Sequence, residues 1–247
     1  GVWSVSAAGI EITVRLADGR LTWEMSGAAP GLALAAGDLG GVTVAGRVPQ
    51  WSHAAVANIQ QENDGGQTLT LVMNDATGAL CLTRHITIFA DRPFARTWGT
   101  LENRGNAMAL IDGCEILALT PREAPPLYLF HVEQFSWAYR RDFFSQHELA
   151  LVAGRTPHEI RMGAYPSHYW GATSCAWFAL RAGLPGRGVE SPETGPGIVC
   201  GLEFNGKSRL KAWATPDTVR IVSRIDDLAH QLAPGALFEI PASFLGR

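Results

Sequence analysis

The sequence lacks three features that would each point to a particular class of protein. It has no run of lysine and arginine, and its 247 residues carry a formal net charge of −3, so it offers no basic field to a nucleic acid. No apolar run is long enough to span a bilayer, so a membrane-bound chain is not expected. The four cysteines form no Cys-x-x-Cys or Cys/His cluster, which argues against a structural zinc site. We expect them to pack as small hydrophobic residues, although their even number would permit two disulfides in an oxidising compartment. We expect no metal and no cofactor.

The beginning of the chain also lacks two common features. Gly1-Val2-Trp3-Ser4 has neither an initiator methionine nor a charged segment followed by an apolar one, so no signal peptide is visible. We expect the numbered chain to begin after a removed segment or a tag. The sequence leaves the compartment open between cytoplasm and periplasm.

The composition that is present is that of one globular domain. Hydrophobic residues make up 47% and charged residues 17%, which is enough apolar material for a sizeable core and too little charge for a disordered chain. All-β domains of this length are commonly single units. We therefore expect one domain over residues 1–247.

The pattern of residues predicts β-strands nearly throughout. Residues 10–16 alternate apolar and polar side chains, which places the even positions on one face of a half-buried strand. Asp18-Gly19 is a turn signal, and residues 21–25 follow as the second strand of a hairpin. Similar segments predict a four-stranded antiparallel meander over residues 68–73, 79–89, 94–101 and 108–119. Further strands are predicted over residues 147–152, 159–162, 175–180, 199–204, 209–213 and 218–223.

The remaining segments predict loops and very little helix. Residues 121–126 are rich in Pro and Glu, residues 128–144 are aromatic without a clean period, and residues 184–197 are rich in Gly and Pro, so we expect loops there. Only residues 225–232 could form a short helix, because Asp226-Asp227 suits a first turn and Pro234-Gly235 would end it. The predicted fold class is all-β, a large antiparallel two-sheet β-sandwich with at most one or two short helices.

Several separated phrases of the chain are more specific than this strand pattern. In order, they are Thr100 to Gly105, Phe135 to Arg140, Ser167-His168-Tyr169-Trp170, Gly201 to Lys207 and Leu232 to Pro241. The last phrase, Leu-x-Pro-Gly-x-x-Phe-x-x-Pro, is the most distinctive. Together they resemble the N-terminal supersandwich domain of glycoside hydrolase family 36, which contains α-galactosidases, and the resemblance covers roughly residues 98–245.

This resemblance implies a function without catalysis in the chain itself. A retaining glycosidase needs two carboxyl groups about 5 Å apart, and in family 36 both come from a (β/α)8 barrel that follows the sandwich. That barrel is expected C-terminal to residue 247 and is absent from these residues. The resemblance implies that the domain docks on the catalytic barrel of the same polypeptide, takes part in a homo-oligomer and contacts the galactoside substrate only indirectly.

Two aromatic segments are candidates for the rim of a sugar site, because sugars are held by exposed aromatic faces beside planar polar side chains. The first is His168-Tyr169-Trp170 and the second contains Trp137 beside basic residues. Trp51, after a proline, is a third candidate in a predicted loop. Trp137 and Trp170 could instead fill the seam between sandwich and barrel. Four further tryptophans lie in apolar strand patterns and are predicted to be core residues: Trp23, Trp98, Trp177 and Trp213.

Two other functions fit a supersandwich. An aldose mutarotase would need a histidine acid and a glutamate base, and His168, His131, Glu115 and Glu133 are the residues that could supply them. A freestanding carbohydrate-binding module would bind sugar with no catalytic partner. The closing phrase favours family 36 over the mutarotase, and the binding module stays open as an alternative.

Overall fold

A computed structural model describes residues 1–27, 34–39, 41–122, 127–134, 144–163, 173–182 and 197–246. Within these ranges the chain forms nineteen β-strands and no helix. In chain order they are β1 (Val2–Ala7), β2 (Ile10–Ala17), β3 (Arg20–Gly27), β4 (Leu34–Asp38), β5 (Val42–Val44), β6 (Trp51–Gln61), β7 (Gln67–Asp75), β8 (Leu80–Ile88), β9 (Phe94–Asn103), β10 (Ala109–Pro121), β11 (Leu127–Gln134), β12 (Phe144–Leu151), β13 (His158–Met162), β14 (Thr173–Ala182), β15 (Gly197–Glu203), β16 (Ser208–Ala214), β17 (Val219–Ile225), β18 (His230–Leu232) and β19 (Leu237–Gly246).

The strands form two layers. Nine strands pair antiparallel in the order β6-β7-β8-β9-β19-β15-β14-β11-β12, and we call them the front sheet. Eight strands pair antiparallel in the order β1-β2-β3-β4-β10-β17-β16-β13, and we call them the back sheet. β5 and β18 pair with the first half of β10. A short parallel contact at Met162 and Ser174 joins β13 to β14, and so connects the two sheets.

The core lies between the two sheets and follows from the alternation of side chains. In β2, Ile10, Ile12 and Val14 are buried, as the even-position pattern predicts. Asp18 and Gly19 both have positive φ angles, 50° and 73°, which matches the predicted hairpin turn between β2 and β3. The front sheet contributes apolar side chains from alternate positions of β7, β8 and β9 to the same core. The all-β sandwich is therefore confirmed.

Three sequence-based expectations about elements are wrong. Residues 225–232 are not helical: β17 ends at Ile225, Asp227 has a φ of 55°, and β18 pairs with β10. Residues 128–134, predicted as part of a loop, lie in β11, because pairing with β12 and β14 on both sides satisfies their backbone groups. The predicted meander holds from β7 to β9, but β10 crosses to the back sheet. No helix long and apolar enough to cross a membrane occurs in the described part of the chain.

Candidate functional site

Four of the five predicted rim residues lie in two segments outside the described residues. Residues 135–143 contain Trp137, and residues 164–172 contain the phrase from His168 to Trp170. The structure therefore says nothing about these four side chains. Their part in a sugar-binding rim stays a prediction.

The fifth candidate, Trp51, is not in a loop. It is the first residue of β6 and its side chain is only 3% exposed, within the core cluster. Its backbone N–H donates to the carbonyl of Gly19, which ties the start of β6 to the β2–β3 turn. The loop expectation is wrong because an apolar ring in this position is buried by the sandwich, and a buried ring offers no face to a sugar.

The described strands show where the two rim segments attach. Residues 135–143 connect β11 to β12, and residues 164–172 precede β14. Gln134, the last residue of β11, pairs with Phe144 at the start of β12 and with Thr173 at the start of β14. Both segments therefore leave from the same end of the front sheet. Sequence spacing alone does not reveal this, because the two segments are far apart in the chain.

A histidine cluster lies just inside this end of the sheet. His131 on β11 and His147 on β12 are cross-strand partners, and their rings stack with centroids 5.1 Å apart. Nδ1 of His131 is 3.3 Å from Oγ of Ser174 on β14, and that hydroxyl donates to the carbonyl of Val132. His131 is buried, at 3% exposure. Three strands are thus tied together by polar contacts next to the rim segments.

The electrostatics of this cluster favour an uncharged His131. Burial lowers its pKa, and the neighbouring His147 and His158 lower it further, while the carboxylate of Glu133 acts in the opposite direction. Nε2 of His147 is 3.0 Å from Oε2 of Glu133, although the angle is not that of a hydrogen bond. Of these side chains only Glu133 is a carboxylate, so the cluster is not the carboxyl pair that a retaining glycosidase uses.

The residues considered for a mutarotase are only partly brought together, since His131 and Glu133 share the histidine cluster but Glu115 lies apart from it. His131 and Glu133 lie on β11 in the front sheet, whereas Glu115 lies on β10 in the back sheet. His168 lies outside the described residues. The described part of the chain therefore does not bring His131 and Glu115 into an acid–base pair.

The outer face of the front sheet carries a second group of aromatic and charged side chains. The imidazole of His85 on β8 stacks on Trp98 of β9, with ring centroids 5.0 Å apart. The guanidinium of Arg96 lies 4.6 Å from the centre of the Trp98 ring and donates two hydrogen bonds, 2.6 and 2.7 Å long, to the carboxylate of Glu203 on β15. These bonds lower the pKa of Glu203. Burial, followed by the charge of Arg84, lowers the pKa of His85.

The same face continues toward the rim segments. Trp177 on β14 lies against Phe130 on β11, with ring centroids 6.0 Å apart. Arg181 covers the ring of Tyr128 and donates to Glu148 on β12 over 2.7 Å. This face thus carries buried and partly buried rings, and two of them lie under arginines that pair with carboxylates, a composition typical of a contact surface.

The predicted core tryptophans divide between the core and the outer faces. Trp23 is buried at 3% exposure, which confirms the expectation for that residue. Trp98, Trp177 and Trp213 are only partly buried and lie on outer faces, so for them the expectation is wrong. The signal was available in the alternation, because Trp98 falls between positions 97 and 99, which are both on the buried face of β9.

Among the residues that the structure describes, no three His, Cys, Asp or Glu side chains are placed so that they could hold a metal ion together. The four cysteines are free, and three of them are buried. Burial raises the pKa of the Cys114 thiol to about 12, which leaves a protonated, unreactive group.

The comparisons with known proteins address the whole fold. No protein-family profile matches the chain, and no curated protein matches it. Solved structures do match. The α-galactosidase of Lactobacillus brevis superimposes with a TM-score of 0.72 at 16% identity, over 99% of this chain and 39% of its own. The A355E variant of the family 36 α-galactosidase AgaA of Geobacillus stearothermophilus gives a TM-score of 0.71 at 15% identity, over 100% of this chain and 40% of its own.

These matches define the fold class. The chain has the fold of the N-terminal domain of family 36 α-galactosidases, and it spans about two fifths of the length of those enzymes. The resemblance seen in the sequence is thereby confirmed for the fold. A galactose mutarotase-like protein of Lactobacillus casei also covers the chain, but its TM-score of 0.49 supports no argument about function.

Proposed function

We infer that the chain is the non-catalytic N-terminal domain of an α-galactosidase-like glycoside hydrolase, and that it docks on the catalytic barrel of the same polypeptide. The observation that carries this proposal is the extent of the structural match. The whole chain superimposes on enzymes named as α-galactosidases while covering only 39 to 40% of them. A domain that corresponds to part of an enzyme is expected to work together with the rest of it.

The outer face of the front sheet supports the docking part of the proposal. Trp98, Trp177 and Phe130 are large rings that a soluble, freestanding domain gains little by exposing. Arginines over aromatic rings are enriched at protein interfaces, and Arg96 and Arg181 both lie in this arrangement. This face is accordingly the proposed contact surface for the barrel.

The rim segments supply the proposed link to the sugar. His168, Tyr169 and Trp170, with Trp137 from the other segment, would reach the mouth of the active site in the same subunit or in a neighbouring subunit of a homo-oligomer. The support is that both segments leave from one end of the front sheet, at Gln134 and Thr173. Contact with the galactoside would then be limited to these side chains.

Calorimetry on the purified chain separates this proposal from a freestanding binding module. The chain is titrated with galactose and with raffinose. A docking domain should give no binding heat with either sugar, because only part of the sugar site lies on it. Saturable binding by the chain alone would support the binding module and contradict the proposal.

Polarimetry separates the proposal from a mutarotase. Freshly dissolved α-galactose is followed with and without the chain, and the docking domain should leave the rate of anomer interconversion unchanged. Acceleration that is lost in His131→Gln would assign the mutarotase reaction to the chain instead.

A further inference from the structure

The outer face of the back sheet carries a group of cations that the docking proposal does not use. Strand register places Arg161 on β13, Arg209 on β16 and Arg224 on β17 directly opposite one another across three neighbouring strands. Two more cations lie on the same face. Lys211 is the next outward-facing residue of β16 after Arg209, and Arg220 on β17 lies opposite Trp213, the outward-facing residue after that. Like charges opposite each other destabilise a sheet, and an acidic residue, Glu115 on β10, lies opposite Arg224 at the other end of this row.

Acidic neighbours neutralise only part of this group. Arg209 contacts Glu159 at 3.3 Å and Asp226 at 2.8 Å, and Lys211 contacts the other oxygen of Glu159 at 3.4 Å. Hydrogen bonds from Lys211 and Arg209 lower the pKa of Glu159. Both oxygens of the Glu159 carboxylate thus contact Arg209 and Lys211, so this carboxylate neutralises those two cations and not the others.

Arg220 and Arg224 differ from these two residues. Both are exposed, and within the described part of the chain no carboxylate lies at ion-pair distance from either of them. The guanidinium of Arg220 lies 5.7 Å from the centre of the Trp213 ring on the neighbouring strand. Two guanidinium groups on one face of β17 therefore have no carboxylate partner among the described residues, and an aromatic ring lies beside one of them.

Their spacing produces a hollow. Val222 lies between Arg220 and Arg224 on β17 and opposite Lys211 on β16, so one short side chain is surrounded by long ones. Val222 is 8% exposed and forms the floor. The hollow has a volume of about 280 Å³, and its wall includes Trp213. This is the scale of a small ring with one substituent and lies near the lower limit of known ligand pockets.

The chemistry of the wall selects an anion with hydroxyl groups. Arginine forks bind phosphoryl oxygens through paired hydrogen bonds, which are stronger than neutral ones. Trp213 offers an apolar ring edge to the body of a ligand, and the carboxylates of Glu115 and Glu159 at the border can accept hydrogen bonds from hydroxyls. We propose that this hollow, bounded by Lys211, Trp213, Arg220 and Arg224, binds a phosphomonoester of a small polyol or sugar.

The test is a titration of isotope-labelled chain followed by NMR, with glucose 6-phosphate, inorganic phosphate and glucose as separate probes. Glucose 6-phosphate should give saturable shifts of amides in β16 and β17 and of the Trp213 indole. Inorganic phosphate should shift the same amides more weakly, because it lacks the ring and hydroxyls, and glucose should shift none of them.

The double variant Arg220→Gln/Arg224→Gln should weaken binding of glucose 6-phosphate by about tenfold or more, since it removes charge-assisted hydrogen bonds. The matched control is Arg92→Gln, an exposed arginine in the β8–β9 turn, which should bind as the parent does. Both arginines of the double variant are exposed, so the fold should persist, and its amide spectrum checks this.

Three outcomes overturn the proposal. They are the absence of saturable shifts with glucose 6-phosphate, undiminished binding by the folded double variant, and shifts caused equally by chloride at the same ionic strength. If an acidic peptide binds this face while glucose 6-phosphate does not, the face is a protein-docking surface and the proposal is wrong. None of these outcomes bears on the docking function of the front sheet.

Discussion

The rings of His131 and His147 stack across β11 and β12, with their planes 17° from parallel and their centroids 5.1 Å apart. Two imidazoles in this contact cannot both be protonated without repulsion in a poorly hydrated place. The pair lies at the end of the front sheet from which both rim segments leave, so its protonation affects the strands that hold them.

The first prediction concerns pH. The folded pKa of His131 lies below its ordinary value of 6.5, mainly because of burial, so near and below that pH the unfolded chain binds the extra proton. Stability should therefore fall as the pH drops below about 6.5, and this contribution should be constant above it. His131→Gln should flatten the dependence of the urea midpoint on pH. Part of the pH dependence should remain in this variant, because the pKa of His85 is also lowered.

The control for that experiment is His230→Gln, at an exposed position of β18. Its dependence on pH should match that of the parent. If His131→Gln and the parent lose stability equally on acidification, the histidine cluster is not the group that senses pH.

The second prediction concerns a buried cation. Arg84 is 1% exposed in the core, and its Nη2 donates to Oγ1 of Thr97 over 2.8 Å. Thr97→Val removes the acceptor of a buried charged donor and should lower the free energy of unfolding by about 1–3 kcal/mol. Thr100→Val, on the outer face of the same strand, should change it by less than about 0.5 kcal/mol. Equal urea midpoints for the two variants would show that the buried contact contributes nothing.

The third prediction concerns Gly99, which pairs with Arg84. A Cβ atom there would collide with the carbonyl oxygen of Thr83 and lie 2.8 Å from Cδ of Arg84. The backbone of β8 cannot move away cheaply, so Gly99→Ala should cost about 1–3 kcal/mol by thermal or urea unfolding. Thr100→Ala serves as the neighbouring control. A Gly99→Ala chain as stable as the parent would mean that β8 and β9 are further apart than described.

The fourth prediction concerns the cysteines. Burial raises the pKa of Cys114 to about 12, and Cys81 and Cys200 are buried as well, whereas Cys175 is partly exposed. A thiol reagent should therefore label one cysteine in the folded chain and all four in urea. Cys175→Ser should abolish the labelling of the folded chain. Fewer than four reactive thiols in urea would reveal a disulfide that the structure does not contain.

The sequence predicts those features of the fold that depend on residues close together in the chain. The alternation in β2 identifies its buried face, and Asp18-Gly19 identifies the turn, because both depend on neighbours in sequence. The helix expected over residues 225–232 fails for the opposite reason. Asp226, Asp227 and Pro234 are helix-boundary signals, but pairing of β18 with the distant β10 decides the conformation.

The candidate sites depend even more on distant pairing. The stacked pair of His131 and His147 and the row of Arg161, Arg209 and Arg224 exist only because particular strands are paired in a particular register. A shift by one residue would send each of these side chains to the opposite face. Sequence resemblance found the correct domain class, but it could not place these residues side by side.

The proposed function requires that this domain carry no glycosidase chemistry of its own and that the catalytic groups of the enzyme lie elsewhere in the polypeptide. The most direct measurement is the release of nitrophenol from 4-nitrophenyl α-galactoside, by the purified 247-residue chain and by the complete natural polypeptide. We predict no turnover by the chain alone and clear turnover by the complete polypeptide. Hydrolysis by the isolated chain, or a complete polypeptide that cannot hydrolyse the substrate, would contradict the account.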